Sequence, residues 1–455
     1  MEAWVKSMRI NRRNHIRALA VIALALLAVS CSRSLPTAPA NSAPRDNGVS
    51  DPFAVAGLEN QVVVTLAPGV NAKSLATQYG AIVVKNADGR SVSVRSVTGQ
   101  LPATLMSQLA LDPRIQTSEP NSWLEPAEAR QQSFAFDDGF GSEQTYAEQP
   151  ASAALGVEFA HQVARGRDVK VAILDTGIDP RQPLLRESIA GGWDFVQNDA
   201  DPTDQRDFLD NDRDGAVDEA YGHGTHVAGI IHLVAPAAQL LIVRVLDADG
   251  RGDIVDVTAG VRWAVANGAK VINMSLGKSM AVSNSRDAVE ALQEALGEAE
   301  AAGVIVVTSA GNGGSASPDF PAISSHAFGI GATDVNGNAA PFSNYERGEL
   351  LLSAPGIGIR STFPGTGFKL WSGTSMSAPW VAGTAALLAE KHPGWTMDIM
   401  KVRLENTTTP ITSPGLDPSE FGAGMLNIGK ALAPDWSVTP ELPPGTEPVL
   451  TPRKP

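Results

Sequence analysis

One cysteine in 455 residues, Cys31, excludes any disulfide within the chain, so cohesion must come from packing and from whatever metal the chain binds. Positive charge is also scarce. Thirty-five Lys and Arg face 49 Asp and Glu, a formal charge of −14, and no basic stripe interleaved with aromatics occurs, which excludes nucleic acid as a partner. An apolar run of bilayer length is missing at the start of the chain too. Ala18 to Val29 is too short to span, and Lys6, Arg9, Arg12, Arg13 and Arg17 before it give residues 1–30 the form of a signal peptide. Export is expected. What is present is globular material: 43% hydrophobic residues, enough for one large domain and a smaller one.

Around the cysteine, Ala28-Val29-Ser30-Cys31 resembles a bacterial lipoprotein signal, with Ala28 where leucine is usual. Lipidation of Cys31, and membrane attachment through it, stands beside ordinary cleavage nearby. Residues 31–56, rich in Ser, Pro, Ala and Asn, read as a flexible tether. Residues 57–126 have the order β-α-β-β-α-β: strands at Gln61–Leu66, Ala81–Lys85 and Ser91–Arg95, helical spacing at Ala72–Tyr79 and Leu101–Leu111, and an extended return at Ile115–Leu124. That is a compact α+β sandwich whose pattern leaves its role open. Residues 127–150, rich in Glu, Gln, Ser and Gly, read as an exposed linker of the kind proteases cut. Residues 434–455 hold seven prolines and almost nothing to bury, an extended tail.

Residues 151–433 form the large domain. Val169–Leu174, Gln239–Val245, Lys270–Met274 and Val304–Thr308 are continuous apolar runs of the kind buried on both faces of a parallel sheet. Between them Ile254, Val257, Val261 and Ala264, then Val289, Leu292, Ala295 and Leu296, recur at helical spacing. The alternation predicts a doubly wound, mostly parallel α/β domain, in which function gathers at the carboxyl ends of the strands.

Four of those ends and helix starts carry chemistry. Ser375, in Gly373-Thr374-Ser375-Met376, lies where a glycine turn enters a small-residue helix, with Pro379 suited to its early turns. The unpaired N–H groups there favour negative charge beside the hydroxyl, though such a serine can equally be a helix cap. Asp175 ends the first strand in Asp175-Thr176-Gly177. An aspartic protease would need two such carboxylates, and the tripeptide occurs once. His223-Gly224-Thr225-His226 spaces its histidines three apart, not the four of zinc proteases, so a base at His223 with His226 in a packing role is the better reading. Ala310-Gly311-Asn312 ends a buried strand in a side-chain amide, which is turn chemistry or an oxyanion donor.

Taken together these motifs resemble the subtilisin-like serine proteases, over roughly Ala151 to Ala433. The resemblance implies that Ser375 is the nucleophile, His223 the base and Asp175 its orienting carboxylate, with Asn312 and the N–H of Ser375 as oxyanion donors and no cofactor for the chemistry. It implies that polypeptides are the substrates, added as a strand between Gly250-Arg251-Gly252 and Ser275-Leu276-Gly277. It further implies that residues 57–126 are an inhibitory propeptide and that the following linker holds the maturation site. The run Ser377-Ala378-Pro379-Trp380 departs from the family's usual Ala-Ser-Pro followed by histidine. Nine aspartates and a glutamate crowd residues 194–219, and Asp210-Asn211-Asp212-Arg213-Asp214-Gly215 matches the first half of an EF-hand loop while Tyr221 stands where its last ligand belongs. A structural calcium held by Asp210, Asp212, Asp214 and Asp218 is expected, with Glu219 the alternative to Asp218 for completing a shorter loop. The rival readings are a catalytically silent member of the same fold, acting by binding, and a metal-dependent hydrolase.

Overall fold

The computed structural model describes residues 58, 60–126, 128, 135–279, 289–412, 415 and 417–434. The expected signal peptide, the tether with Cys31, and the tail beyond Pro434 lie outside the described residues. Among the described residues no helix is long and apolar enough to cross a membrane.

Alternating β-branched residues and glycine turns give the first sheet. β1 (Val62–Leu66), β2 (Ala81–Asn86), β3 (Ser91–Ser96) and β4 (Ile115–Pro120) pair antiparallel in the order β2-β3-β1-β4. Helices α1 (Ala72–Gln78) and α2 (Pro102–Leu109) bury Leu75, Leu105 and Leu109 in the small core with Val62, Val64 and Leu66. Asn71 caps α1 by accepting the N–H of Ser74 at 2.8 Å, and Pro102 opens α2, where its missing donor is not needed. A two-residue strand, β5 (Trp123–Leu124), follows.

The large domain carries β6 (Lys170–Asp175), β7 (Ile189–Asp194), β8 (Gln239–Arg244), the short β9 (Gly252–Asp253), β10 (Val271–Met274), β11 (Ile305–Ser309), β12 (Phe328–Thr333) and β13 (Leu352–Pro355). All but β9 form one parallel sheet in the order β13-β12-β11-β10-β6-β8-β7. Both faces are covered. Val171 and Ile173 pack into the core shared with α3 (His223–Val234), while Ala172 and Leu174 pack on the other side with α4 (Ile254–Ala266) and α5 (Glu290–Ala301). A hairpin of β14 (Ile359–Phe363) and β15 (Gly367–Trp371) leads into α6 (Thr374–Lys391), the longest helix described and the one buried beside α3.

Three strands of this sheet carry no sequence signal. β7 and β12 each hold two glycines, and in β12 close packing requires them: a Cβ on Gly329 would come within 2.5 Å of the Ala322 carbonyl oxygen, and one on Gly331 within 2.5 Å of Ser353 Oγ. β13, Leu-Ser-Ala-Pro, is simply too short for a pattern. Pro379, read as suited to an early turn, is the sixth residue of α6, and its helix continues through it. It cannot donate to the carbonyl of Ser375, four residues back; Ser275 Oγ donates to that oxygen instead, at 2.9 Å.

The small domain docks on α4 and α5. Glu119, at the end of β4, accepts the N–H groups of Glu290 and Ala291 at 2.7 and 2.9 Å, capping α5 from another domain. Lys85 of β2 pairs with Asp256 in the first turn of α4, and Arg262 of the same helix donates to Ser91 Oγ at 2.7 Å and to Glu298 at 2.8 Å. Burial is the largest influence on both carboxylates and pushes each up to about 7. It outweighs the two amide donors on Glu119 and the ammonium beside Asp256, the neighbouring Glu290 and Asp253 acting in the same sense as burial. Undocked, both return to the ordinary carboxylate range near 4. Docking therefore takes up protons, is strongest below that range and weakens as pH rises through about 7. Hydrogen exchange of residues 60–126 in the full chain, corrected for its intrinsic pH dependence, should show less protection at pH 8 than at pH 5; equal protection would refute this.

Candidate functional site

Four segments distant in sequence meet at the carboxyl edge of the parallel sheet. Asp175, the last residue of β6, is 1% exposed, and its Oδ1 accepts the N–H of Thr176 at 2.8 Å and lies 2.7 Å from His223 Nδ1. His223 is the first residue of α3, following Gly222 at φ 92°, a conformation that favours glycine. Gly224 is needed as well, because a Cβ there would come within 2.2 Å of the Gly177 carbonyl oxygen. Trp371 meets the His223 ring edge-on at 5.3 Å.

Ser375 is the second residue of α6. The first, Thr374, donates both its backbone N–H and its hydroxyl to Asn312 Oδ1, each at 2.9 Å. This fixes which way the amide faces, so the Asn312 NH₂ points back toward Ser375. Behind the serine, Asn273 Nδ2 donates to Ser275 Oγ at 3.0 Å, and the Ser275 carbonyl oxygen lies 3.2 Å from Ser375 Oγ.

A residue from the expected linker completes the cluster. Glu128, 1% exposed, accepts from Asn312 Nδ2 at 2.9 Å and from the Ser375 N–H at 3.2 Å with Oε1. Its Oε2 accepts the Ser375 hydroxyl at 2.5 Å and stands 3.5 Å from His223 Nε2, an ion-pair rather than a hydrogen-bond distance. Tyr146 and Gln149 are buried as well, so the stretch read as exposed is partly interior. Nothing in a Glu- and Gln-rich run marks Glu128; only its place shortly after the docked strand does.

Charge in the cluster is mutually supporting. Burial is the largest influence on His223 and disfavours its cationic form, but the charge of Asp175, the hydrogen bond to it and then Glu128 outweigh burial and raise the imidazole to about 10. Burial likewise opposes ionisation of Glu128, and His223, Ser375 and Asn312 together hold it below the ordinary carboxylate range. His226 behaves differently. Its Nε2 lies 3.1 Å from the carbonyl oxygens of Ile359 and Lys369, and burial lowers it to about 3, so it is a neutral packing residue.

The two edge segments flank a strand of the chain itself. Trp123 and Leu124 pair antiparallel with Asp253 and Gly252, and Glu125 exchanges both main-chain hydrogen bonds with Gly277, at 3.0 and 2.8 Å. Of the three residues Gly250-Arg251-Gly252, Gly250 is the one against Pro126, where a Cβ would come within 2.9 Å of the ring.

In the acidic loop, carboxylate oxygens of Asp210, Asp212 and Asp214 lie within 4.8 Å of one another. Asp218 is not brought to them: its Oδ1 accepts the N–H groups of Asp207 and Phe208 at 3.0 and 3.1 Å, and its Oδ2 stands 3.9 Å from Arg206. Glu219, the alternative to Asp218 in the sequence reading, and Asp249, which that reading did not name, are the neighbours instead. Both oxygens of Glu219 are buried without a hydrogen-bond partner. Burial first, then the charges of Asp249, Asp212 and Asp214, push it up to about 8, and burial with Asp214 beside it raises Asp212 to about 6.

Comparison with known proteins converges on one group. The sequence model of the subtilase family matches residues 166–424. Subtilisin BL of Lederbergia lenta is 40% identical over 275 residues, 58% of this chain and 91% of that protein. Subtilisin Savinase, also from Lederbergia lenta, is 38% identical over the same shares. Thermitase of Thermoactinomyces vulgaris is 38% identical over 284 residues, 60% of this chain and 91% of its own.

Proposed function

Because the chain belongs to the subtilase family and is a subtilisin-like serine endopeptidase, we propose that Asp175, His223 and Ser375 are its catalytic triad and that the uncut chain is a self-inhibited precursor. One observation carries both halves: a single carboxylate, that of Glu128, is bound at once by Asn312, by the Ser375 N–H and by the Ser375 hydroxyl, with His223 beside it. Groups that converge on one anion can converge on one tetrahedral intermediate.

In the mechanism, His223 Nε2 takes the Ser375 proton as Oγ forms a bond to the substrate carbonyl carbon. The former carbonyl oxygen becomes an oxyanion held by Asn312 Nδ2 and the Ser375 N–H. Asp175, on Nδ1, fixes the tautomer and stabilises the imidazolium. The C–N bond breaks as His223 returns the proton to the leaving amine. Water then attacks the acyl-enzyme by the same path in reverse, freeing Ser375. Every step uses side chains and main chain of this protein.

Self-inhibition follows from the same contacts. Glu128 fills the oxyanion position, draws the serine proton to itself and, with Asp175, keeps His223 protonated at neutral pH, where an imidazolium cannot serve as base. Residues 57–126 act as the propeptide that delivers this segment, and residues 1–30 direct export. The acidic loop fits a hard divalent cation such as calcium: Asp210, Asp212, Asp214 and Glu219 would hold it with Asp249 beside them, relieving repulsion among crowded carboxylates.

Three outcomes follow. Ser375→Ala or His223→Ala should lower kcat on a peptide by about six orders of magnitude, the size known for subtilisin-type triads, and Asn312→Ala by about 10²–10³; near-normal turnover in either triad variant would sink the mechanism. In the uncut precursor, Glu128→Ala should speed labelling of Ser375 by a fluorophosphonate on the order of tenfold, with the isosteric Glu128→Gln between it and wild type; unchanged labelling would remove Glu128 from the inhibition. Millimolar calcium should raise the melting temperature on the order of 5 °C over a chelator, and equal melting curves would exclude the cation.

A further inference from the structure

Resting on the endopeptidase reading, we propose that Arg251 selects substrates by charge, favouring an acidic residue two positions before the one whose carbonyl is attacked. Of the six residues in the two strips that flank the inserted strand, Arg251 is the only charged one. Main-chain pairing along those strips accepts almost any sequence, so a side chain that reads the inserted strand is where discrimination can enter.

The inserted strand shows what Arg251 reads. Trp123 and Glu125 are two apart in an extended segment and so share a face, while Leu124 between them is fully buried in the apolar core below. The Arg251 guanidinium lies over the Trp123 ring, 4.2 Å from its centroid, and Nε stands 3.8 Å from Glu125 Oε1. Its far end donates to the Asn211 carbonyl oxygen at 3.1 Å, which holds the side chain across the strand. Arg251 is 4% exposed, and its Nε–H has no hydrogen-bond partner. A buried guanidinium with a spare donor facing the strand is a receptor for a carboxylate, and a substrate acid that approaches by less than an ångström more than Glu125 does would satisfy it.

The surroundings sharpen the choice. Asp247 accepts the Arg251 backbone N–H at 2.8 Å, and Asp249 and the acidic loop lie next to it. Without Arg251 these carboxylates lose their buried cation, and an anionic substrate residue loses its partner beside them.

Position in the substrate follows from register. Glu125 faces Gly277, so a substrate residue two further on faces Ser275, whose carbonyl oxygen is 3.2 Å from Ser375 Oγ. The acid is read two residues ahead of the attacked carbonyl.

The test uses enzyme matured from the full chain and three fluorogenic peptides that differ only at that position, Glu, Gln or Lys, with the cut bond mapped by mass spectrometry. Wild type should cleave the Glu peptide roughly tenfold better than the Lys peptide in kcat/KM, mostly through KM, with Gln between and the spread reduced in high salt. Arg251→Ala should abolish or reverse the order, and Arg251→Lys should keep part of it. The ratio between peptides is internal to each variant, so a general loss of activity does not mimic the effect. Wild type indifferent to the three, or Arg251→Ala retaining the preference, overturns the assignment. No turnover of any peptide together with no fluorophosphonate labelling would strike the endopeptidase reading itself, and the assignment with it.

Discussion

The site depends on the tie between Asn312 and Thr374. A strand end and a helix start, 62 residues apart, are joined by two hydrogen bonds to one amide oxygen. Because that oxygen is doubly occupied as an acceptor, the amide has one orientation, and its NH₂ faces the serine. The first turn of α6 is thereby set against β11, and Ser375 inherits its position from that packing. Pro379 makes the arrangement more exacting. It leaves the Ser375 carbonyl without its helical donor, and Ser275, from the end of β10, supplies one. Two neighbouring strand ends and one helix thus hold Ser375 from different sides.

How much of this could be read from the chain varies by element, for physical reasons. Strands buried on both faces announce themselves by continuous apolar runs, and β6, β8, β10 and β11 do so. Where neighbouring strands or loops approach within contact of the backbone, side chains give way to glycine and the signal disappears, as in β7 and β12. Asp175, His223, Asn312 and Ser375 stood out because each borders glycine where the chain turns at the sheet's edge. Glu128 had no such mark. Its role depends on where residues 123–125 dock, a long-range fact that no local pattern encodes. The acidic loop was half legible: the alternating aspartates located it, but alternation cannot say which carboxylates fold inward. Asp218 is used up on backbone donors, and Asp249 arrives from a separate loop, donated to by Asn211 and Asp218.

The interface between the two domains has the same economy of charge as the site. A carboxylate is buried on each side of it, Glu119 met by helix N–H groups and Asp256 by an ammonium. Such contacts are specific in position yet weak in net energy, since desolvation offsets much of the attraction. A domain held this way is registered accurately without being held irreversibly.

Beyond Glu128 the chain is already moored. Phe136 exchanges main-chain hydrogen bonds with Leu370, Asp138 pairs with Arg360, and the amide of Gln149 binds the Arg360 backbone through both its donor and its acceptor, as a strand neighbour would. Tyr146 reaches the carbonyl of Gly229 with its hydroxyl. Severing the backbone between residues 128 and 135 would leave every one of these attachments within a single fragment, whose new terminus would begin close to an anchored arm.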